Sequence, residues 1–369
     1  MVLSTDRGIG SLSDVAIIQR LRKSRAWLEK LVTELVARRV NGIREKSDFR
    51  VEIRDATTIN APASKGTNWR IHLGFDMVSM SVTGIKLTDQ HGGENFGRFP
   101  SDLDELAIGD GGYAFKSSLL APLSSGGWVH VRTNWQNISA SEENGERLKI
   151  IPWLKTINTI SEKTLWINTS QGCYHLRLVA APIPSEKAEL ARQKTRKRNS
   201  KKQNHVSPAT IFAAGFVIVL TNLPVESFPS GLVMALYRLR WQIELAIKRQ
   251  KGLMNLDCLR IKNPEAAQAF ILAKLLIALL IEDMISQLTL QKPDWFDSIY
   301  RPVSLSRLTV LIYQAVCHII AGTWHRWIFI YWDDLQRYIS DPPRNRLQQL
   351  AVGRVFINYL SKLGCFSFC

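Results

Sequence analysis

Residues 237–251 of the chain read Tyr237-Arg-Leu-Arg240-Trp-Gln-Ile-Glu244-Leu-Ala-Ile-Lys-Arg-Gln-Lys251, a pattern with two faces. At about 100° per residue, the four numbered residues fall within one narrow stripe of a helix, here called the polar stripe. An apolar stripe beside it predicts that the helix packs on a core and leaves the polar stripe at a crevice. The apolar stripe consists of Leu236, Leu239, Ile243 and Ile247. The spacing alone fits equally a surface helix with an Arg240–Glu244 ion pair of about 0.2–0.5 kcal/mol.

Two acidic residues upstream each follow a predicted strand. An alternating apolar and polar run at residues 49–54 stops at Asp55-Ala-Thr-Thr. A short apolar run, Leu106-Ala-Ile, leads into Gly109-Asp110-Gly-Gly. The first run has the period of a half-buried strand, and the alternating residues 69–87 between the two acids predict an antiparallel meander. Because Asp before Thr or Gly is also a common turn residue, neither acid alone indicates a site.

Together with the helix, these acids form a donor set that suits magnesium. Mg²⁺ takes oxygen ligands in near-octahedral geometry, and carboxylates from two strands and one helix supply them. Asp55, Asp110 and Glu244 are therefore the candidate metal ligands. Two such ions can stabilise the attacking and leaving oxygens of a phosphoryl transfer. The Tyr, Arg and Lys of the polar stripe would then hold the scissile strand.

At this point the sequence resembles a known family. The polar stripe, with the spacing Tyr-x2-Arg-x3-Glu-x6-Lys, is similar to the full helical signature of the bacterial insertion-sequence DDE transposases, in the group named after insertion sequence four. Asp55 in Ile-Arg-Asp-Ala-Thr and Asp110 in Gly-Asp-Gly-Gly-Tyr resemble the two aspartate motifs of that family, in the same order. The resemblance covers roughly residues 11–290.

The resemblance implies an α/β fold. We expect an RNase H-like catalytic core at residues 48–134 and 208–262, with Asp55 on its first strand, Asp110 after its fourth and Glu244 on a late helix. A mostly β insertion with a basic segment, at residues 135–207, would precede the final catalytic helix. The flanking N- and C-terminal regions, residues 1–47 and 263–369, would be helical.

The implied function is DNA transposition. Such an enzyme hydrolyses a phosphodiester at the element end and then uses the freed 3′-hydroxyl to attack target DNA. The cofactor would be Mg²⁺, with Mn²⁺ as an alternative, held by Asp55, Asp110 and Glu244. Tyr237, Arg240, Lys251 and Arg132, which ends Trp-Val-His-Val-Arg, would position the DNA backbone.

The same resemblance sets the expected partners. These are the terminal inverted repeats of the element, double-stranded target DNA and a second copy of the chain in a synaptic complex, without a membrane, in the bacterial cytoplasm at the nucleoid. Members of the family usually carry a longer N-terminal region than the 54 residues that precede Asp55, so the first helices are expected to be partly missing. A truncated chain that binds DNA without transposing, as a regulator or relic, is the alternative function.

The net positive charge of the chain indicates a polyanionic partner. The chain has 48 Lys and Arg against 32 Asp and Glu, a net charge of +16. Residues 187–202 carry eight of these basic residues and one acid, and we expect them to form a solvated helix or loop. A plain solubility feature is the alternative interpretation of such a run.

Other classes of protein are excluded or not indicated. The five scattered cysteines contain no C-x-x-C pair, which favours a reducing compartment. Asp6 and Arg7 stand where a signal peptide needs an apolar core. The longest apolar stretch, residues 270–281, is interrupted by Lys274 and is too short to span a bilayer of about 30 Å. No G-x-x-x-x-G-K-[ST] motif suggests ATP use.

Local patterns give further expectations. Residues 11–39 predict two helices, the first capped by Ser11 or Ser13. Strand-like pieces lie at residues 148–153, 165–167, 174–180 and 212–220. Trp241 is expected to pack in the core. Aromatic residues near the insertion are candidates for stacking on an extruded base, and they are Trp128, Trp135, Trp153 and Trp166. A C-terminal aromatic cluster is expected to form a helix-bundle core or a protein contact, and it comprises Trp324, Trp327, Phe329, Tyr331 and Trp332.

Overall fold

A computed structural model gives the architecture of most of the chain. It describes residues 13–45, 49–169, 171–201, 203, 205–259, 261–291, 303–327 and 338–339. Eight strands form one mixed sheet in the order β3-β2-β1-β4-β5-β8-β7-β6. The strands are β1 Arg50–Ile59, β2 Trp69–Asp76, β3 Ser81–Asp89, β4 Glu105–Gly109, β5 Trp128–Thr133, β6 Ser161–Thr169, β7 Gly172–Pro182 and β8 Phe216–Thr221.

Helices cover both faces of this sheet. They are α1 Asp14–Arg44, α2 Lys116–Ser124, α3 Ile150–Thr156, α4 Ser185–Lys201, α5 Pro208–Ala213, α6 Ser230–Leu236, α7 Trp241–Met254, α8 Pro264–Gln291 and α9 Leu305–Ala321. Short 3₁₀ turns lie at Phe96–Arg98 and Tyr237–Arg240. One buried cluster joins α6, α7 and α8 to one sheet face, and a second joins α2 and α3 to the other. Each face of the sheet therefore has its own core.

The first five strands have the arrangement on which the predicted α/β core depends. β1, β4 and β5 are parallel neighbours, while β2 and β3 extend the sheet as an antiparallel meander. This confirms the expected RNase H-like α/β class, with Asp55 on the first strand and Asp110 directly after the fourth. Asp55 does not end its strand, however. β1 continues to Ile59 because it pairs with β2 along its whole second half.

The two strands of the expected insertion, β6 and β7, extend the core sheet. β8 pairs with β5 on one side and with β7 on the other, and β7 pairs with β6. Residues 148–153, expected as strand, instead lead into α3, where Pro152 stands in the first turn and its missing N–H costs nothing. The expected strand at residues 212–220 begins only at Phe216, because residues 208–213 form α5. Of the basic run at residues 187–202, the part that the structure describes, residues 187–201, forms most of α4, in which Ala188 is the buried residue.

The N-terminal segment forms one helix where two were expected. α1 runs unbroken through residues 22–26, which contain no Gly or Pro to interrupt it. The Ser13 hydroxyl accepts a hydrogen bond from the Ala16 N–H at 3.2 Å, so the cap is Ser13. Leu28 packs against Ala269 and Leu272 of α8, which ties α1 to the C-terminal part of the fold.

Several aromatic and C-terminal expectations can be compared with the structure. Trp241 is 36% exposed, and the Lys248 Nζ lies 4.3 Å from its ring centroid, so the core-packing expectation was wrong. Trp324 and Trp327 stack with ring centroids 5.5 Å apart. Phe329, Tyr331 and Trp332 lie outside the described residues. In the part of the chain that the structure describes, no helix is long and apolar enough to span a membrane.

Candidate active site

The sheet register places two of the candidate residues in one row, and a third directly follows the strand between them. Ile108 on β4 pairs with Ile53 on β1 and with His130 on β5. Because side chains alternate along a strand, the positions two residues further on in β1 and β5 again share a face. These positions are Asp55 and Arg132, and Asp110 directly follows β4 between them. The row lies at the carboxyl ends of the parallel strands, the edge at which open α/β sheets bind ligands.

The helical segment that carries the polar stripe lies over this row. Its apolar stripe is buried as expected, with Leu236 and Ile243 fully enclosed. The segment is not one continuous α-helix, because Tyr237–Arg240 forms a 3₁₀ turn between α6 and α7. Lys251, at the far end of the stripe, donates a hydrogen bond to the Thr58 carbonyl at 3.2 Å. The polar stripe therefore runs along β1.

Arg240 is the residue that joins the helix to the strand. Its guanidinium pairs with Glu244 and reaches Asp55 Oδ2 at 3.4 Å. Its Nε donates to the Tyr237 hydroxyl at 3.1 Å. The i,i+4 ion pair that the spacing allowed is present, but the same arginine also contacts the strand. The pair is thus part of the site and not a separate surface feature.

Tyr237 connects this centre to Arg132. The Arg132 guanidinium lies 6.0 Å from the Tyr237 ring centroid, within cation–π range, and Arg132 is exposed. His130, in the preceding row of the sheet, is fully buried beneath the same ring, with centroids 6.4 Å apart. Burial lowers the pKa of His130 to about 3, so its ring is neutral. Within Trp-Val-His-Val-Arg, His130 is therefore buried. Arg132, two residues further along the same face of the strand, is exposed to solvent.

Asp55 is affected by burial and by the charges around it. Burial raises the pKa of Asp55 to about 6, and the Ala56 N–H, which donates to Oδ1 at 2.8 Å, opposes this rise. The negative charges of Asp110 and Glu244 raise the Asp55 pKa further, while Arg240 lowers it. The site thus concentrates negative charge that one arginine partly neutralises.

This donor set fits a hard divalent cation. All three acids offer carboxylate oxygens, the ligands that Mg²⁺ prefers. Among the described residues, however, no three Asp, Glu, His or Cys side chains are already grouped to hold an ion. The Arg240 guanidinium lies between Asp55 and Glu244 and serves as their counterion. A cation at this site would replace that interaction.

Sequence reasoning assigned no role to Glu94, a further acid that the structure places beside Asp110. A Cβ built on Gly112 would lie 1.6 Å from Glu94 Oε2 and 3.1 Å from Asp110 Oδ1. Glu94 therefore reaches the backbone of the loop that follows Asp110. Gly112, the third glycine in Gly-Asp-Gly-Gly-Tyr, was the sequence signal for such a close approach.

Behind the row lies a buried ionic network that sequence alternation did not predict. Arg54, with a fully buried side chain, pairs with Glu52 at 2.6 Å and with Glu105. It also donates hydrogen bonds to the Pro100 carbonyl at 2.9 Å and to the Ser101 hydroxyl at 3.1 Å. These polar residues of β1 fix the loop that leads from Glu94 into β4.

An RNase H-like core with acids on its first strand, after its fourth strand and on a late helix defines the DDE class of DNA-processing enzymes. The family model described as Transposase DDE domain matches residues 46–281, so the chain belongs to this family. The putative transposase InsL for insertion sequence element IS186A of Escherichia coli (strain K12) is 35% identical over 285 residues, which cover 75% of the chain and 77% of the relative.

Further relatives carry the same description. The transposase for insertion sequence element IS421 of Escherichia coli is 35% identical over 285 residues, which cover 75% of the chain and 77% of the relative. The transposase for insertion sequence element IS231F of Bacillus thuringiensis subsp. israelensis is 27% identical over 173 residues, which cover 46% of the chain and 36% of the relative. The family expected from the sequence and its function in DNA transposition are confirmed. The roles of the individual site residues stay predictions.

Proposed function

We propose that the chain catalyses Mg²⁺-dependent phosphodiester hydrolysis and strand transfer at the ends of an insertion sequence. The observation that carries this proposal is the shared guanidinium of Arg240, which links Glu244 on the helix to Asp55 on the strand, with Asp110 directly after the neighbouring strand β4. Three acids from three separate parts of the sequence meet at one edge of the sheet. Membership of the family indicates the class of reaction, and these three acids are the carboxylates that we propose for it.

In this proposal Asp55, Asp110 and Glu244 hold the metal, which when bound stabilises the attacking and leaving oxygens of the transfer; Mn²⁺ is an alternative. Arg240 neutralises Asp55 and Glu244 until DNA arrives, and its donors can then bind a phosphate oxygen. Tyr237 keeps the Arg240 side chain extended toward the strand through its hydroxyl. The acids thereby stay directed at one place in the absence of DNA.

The DNA backbone would cross the rim of this centre. Arg132 is exposed and Lys251 is partly exposed, and they lie at different positions around the acids, so they can contact successive phosphates. The double-stranded substrates would be the terminal inverted repeats and the target DNA, bound by two copies of the chain in a synaptic complex. An enzyme with these substrates would act at the bacterial nucleoid.

The reaction itself can be tested on DNA that carries the element's own ends. In Mg²⁺ or Mn²⁺ the chain is expected to nick these ends and release a 3′-hydroxyl, detected by polymerase extension with a labelled nucleotide. In Ca²⁺ it should bind the same DNA without nicking, because Ca²⁺ has longer and more flexible coordination. DNA of equal length with scrambled ends is the control. Binding without nicking in Mg²⁺ and in Mn²⁺ would instead support the non-transposing regulator.

Helix α4 is expected to add affinity for DNA through phosphate contacts. Lys197 and Arg198 are exposed, and neither forms an ion pair with a described residue, whereas Arg196 pairs with Glu189. Replacing both exposed residues with glutamine should weaken DNA binding. It should also flatten the dependence of log affinity on log salt by about 0.9 per lost phosphate contact.

The matched control for the α4 double variant removes two positive charges from a different helix, α3. Lys149 and Lys155 are exposed lysines at the two ends of the neighbouring α3, and both are replaced by glutamine in the control. Fluorescence anisotropy over a range of salt concentrations gives both slopes. Equal slopes for the two double variants would mean that α4 contributes only general charge or solubility.

A further inference from the structure

Glu94 lies in the loop between β3 and β4, directly before the 3₁₀ turn Phe96–Arg98. Its distance from Asp110 follows from the space at Gly112. A Cβ built on Gly112 would lie 1.6 Å from Glu94 Oε2 and 3.1 Å from Asp110 Oδ1. The two carboxylates are therefore within a few ångströms of each other. Only a residue without a side chain leaves room for this approach.

These two carboxylates differ from the other acids of the site in their counterions. Asp55 and Glu244 share the Arg240 guanidinium. Among the described residues, neither Glu94 nor Asp110 has a basic side chain within the 4.0 Å of an ion pair. Two facing carboxylates without a contacting basic side chain offer the oxygen ligands that a divalent cation prefers.

The position of Glu94 is fixed by contacts on both sides in the chain. Before it, the Gly93 carbonyl accepts a hydrogen bond from Arg98 Nε at 2.7 Å. After it, the Phe96 N–H donates to the Ser118 hydroxyl at 2.9 Å, and Arg54 donates to the Phe96 carbonyl. The loop backbone is thus held by groups from the opposite face of the sheet. Glu94 does not reach the site as an unconstrained surface side chain.

Tyr113, in the loop after β4, lies close to the same acids. Its ring is buried against Phe96, with centroids 4.8 Å apart. Burial raises the pKa of the Tyr113 hydroxyl, and the charges of Asp55, Glu94 and Asp110 raise it further. Acids from β1, from the loop after β3 and from the loop after β4 therefore all act on one buried phenol.

We propose that Glu94 is a fourth carboxylate of the catalytic site and, together with Asp110, supplies oxygen ligands to a divalent cation. The inference rests on the proposed function, since it assigns a further ligand to the same metal-dependent site. Its physical basis is that one arginine already neutralises Asp55 and Glu244, while Glu94 and Asp110 face each other without such a partner. Hard cations prefer such carboxylate oxygens.

The direct test measures Mn²⁺ binding to the full chain, from the electron paramagnetic resonance signal of free Mn²⁺. Glu94→Gln is expected to weaken Mn²⁺ binding at least tenfold or to remove one bound ion, as Asp110→Asn should. Glu226→Gln, at an exposed glutamate outside the site, should bind Mn²⁺ like the parent chain. In nicking assays the Mn²⁺ concentration for half-maximal rate should rise at least tenfold for Glu94→Gln, with unchanged DNA binding in Ca²⁺.

A second pair of variants tests the same ligand without altering any carboxylate. Gly112→Ala places a methyl group on Glu94 and should displace its carboxylate, so it should reproduce the weaker Mn²⁺ binding of Glu94→Gln. Gly111→Ala is the matched control, since its Cβ would meet the Arg132 carbonyl at an ordinary 3.8 Å. Because the same Cβ would also lie 3.1 Å from Asp110 Oδ1, weaker binding in Gly112→Ala supports the proposal only together with Glu94→Gln, whereas unchanged Mn²⁺ binding in Gly112→Ala overturns it even if Glu94→Gln does not fold.

The outcomes separate the inference from the function on which it rests. If Asp110→Asn weakens Mn²⁺ binding but Glu94→Gln and Gly112→Ala do not, the role of Glu94 is wrong and the metal-dependent site stands. A lower nicking rate with an unchanged Mn²⁺ requirement would assign Glu94 a purely structural role and overturn the proposal. If the parent chain binds no Mn²⁺ with or without end DNA, the proposed function itself fails.

Discussion

Replacement of Glu244 by glutamine is expected to reduce the rate of nicking at the element ends by about 10²–10³-fold or more, while DNA binding persists. The amide keeps the shape of the side chain but removes the negative charge that the metal site requires. The loss has the size that follows removal of one group that stabilises developing charge in a transition state. Affinity for DNA depends mainly on phosphate contacts, which this substitution leaves in place.

The measurement is a gel assay of nicking and binding on end-bearing DNA, in Mg²⁺ and again in Ca²⁺. Asp55→Asn and Asp110→Asn should behave like Glu244→Gln. The matched control is Glu142→Gln, which also breaks an ion pair, to Lys163 at 2.8 Å, but at the insertion. Any of the three site variants that nicks within about tenfold of the parent rate is not a metal ligand, and its assignment would be withdrawn.

The sequence contained enough information to predict the catalytic helix and the order of the acids. The spacing of Leu236, Leu239 and Ile243 follows helical geometry closely, so it predicted the buried face and, with it, the position of the polar stripe. The resemblance rested on residue types at fixed distances along one segment. Such local regularities survive in the structure because the tertiary fold uses them directly.

Glu94 could not be identified in this way because no local pattern marks it. The residue reaches the site through the tertiary path of a loop, which Arg54 and Ser118 hold from the other face of the sheet. The sequence signal was indirect and lay at Gly112, eighteen positions away, where the absence of a side chain permits the approach. A glycine next to a candidate acid is compatible with many ordinary turns, so the signal was weak.

The extent of the sheet was also beyond sequence reasoning. β5 and β8 are joined only by long-range pairing, in which His130 is opposite Thr221. Alternation in β1 was correctly interpreted as strand, but it did not show that the polar residues are buried as well. Glu52 and Arg54 alternate with apolar residues, yet both are buried because they neutralise each other beneath the loop after β3. The two-residue period of a strand shows which residues share a face, but it does not show whether another part of the protein covers that face.

That buried network leads to the second large expected effect, on stability. Replacing Arg54 by methionine is expected to lower the free energy of unfolding by about 3–5 kcal/mol, because Glu52 and Glu105 lose their nearer shared partner inside the protein and keep only Arg50, at 3.2 and 3.6 Å. Such a loss is a large part of the roughly 5–15 kcal/mol that stabilises a typical fold. Urea unfolding followed by tryptophan fluorescence and circular dichroism measures it.

Two further variants test the physical reason for this loss. Arg44, which pairs with Asp102, has a side chain that is 47% exposed, and its replacement by methionine should cost only about 0–1 kcal/mol. Adding Glu52→Gln and Glu105→Gln to Arg54→Met should restore part of the lost stability, since no unpaired charge then remains buried. If Arg54→Met costs no more than Arg44→Met, the network is not what holds the loop, and the fixed position of Glu94 needs another explanation. If the triple variant is no more stable than Arg54→Met, the loss comes from packing and the hydrogen bonds to the loop carbonyls, and not from the uncompensated carboxylates.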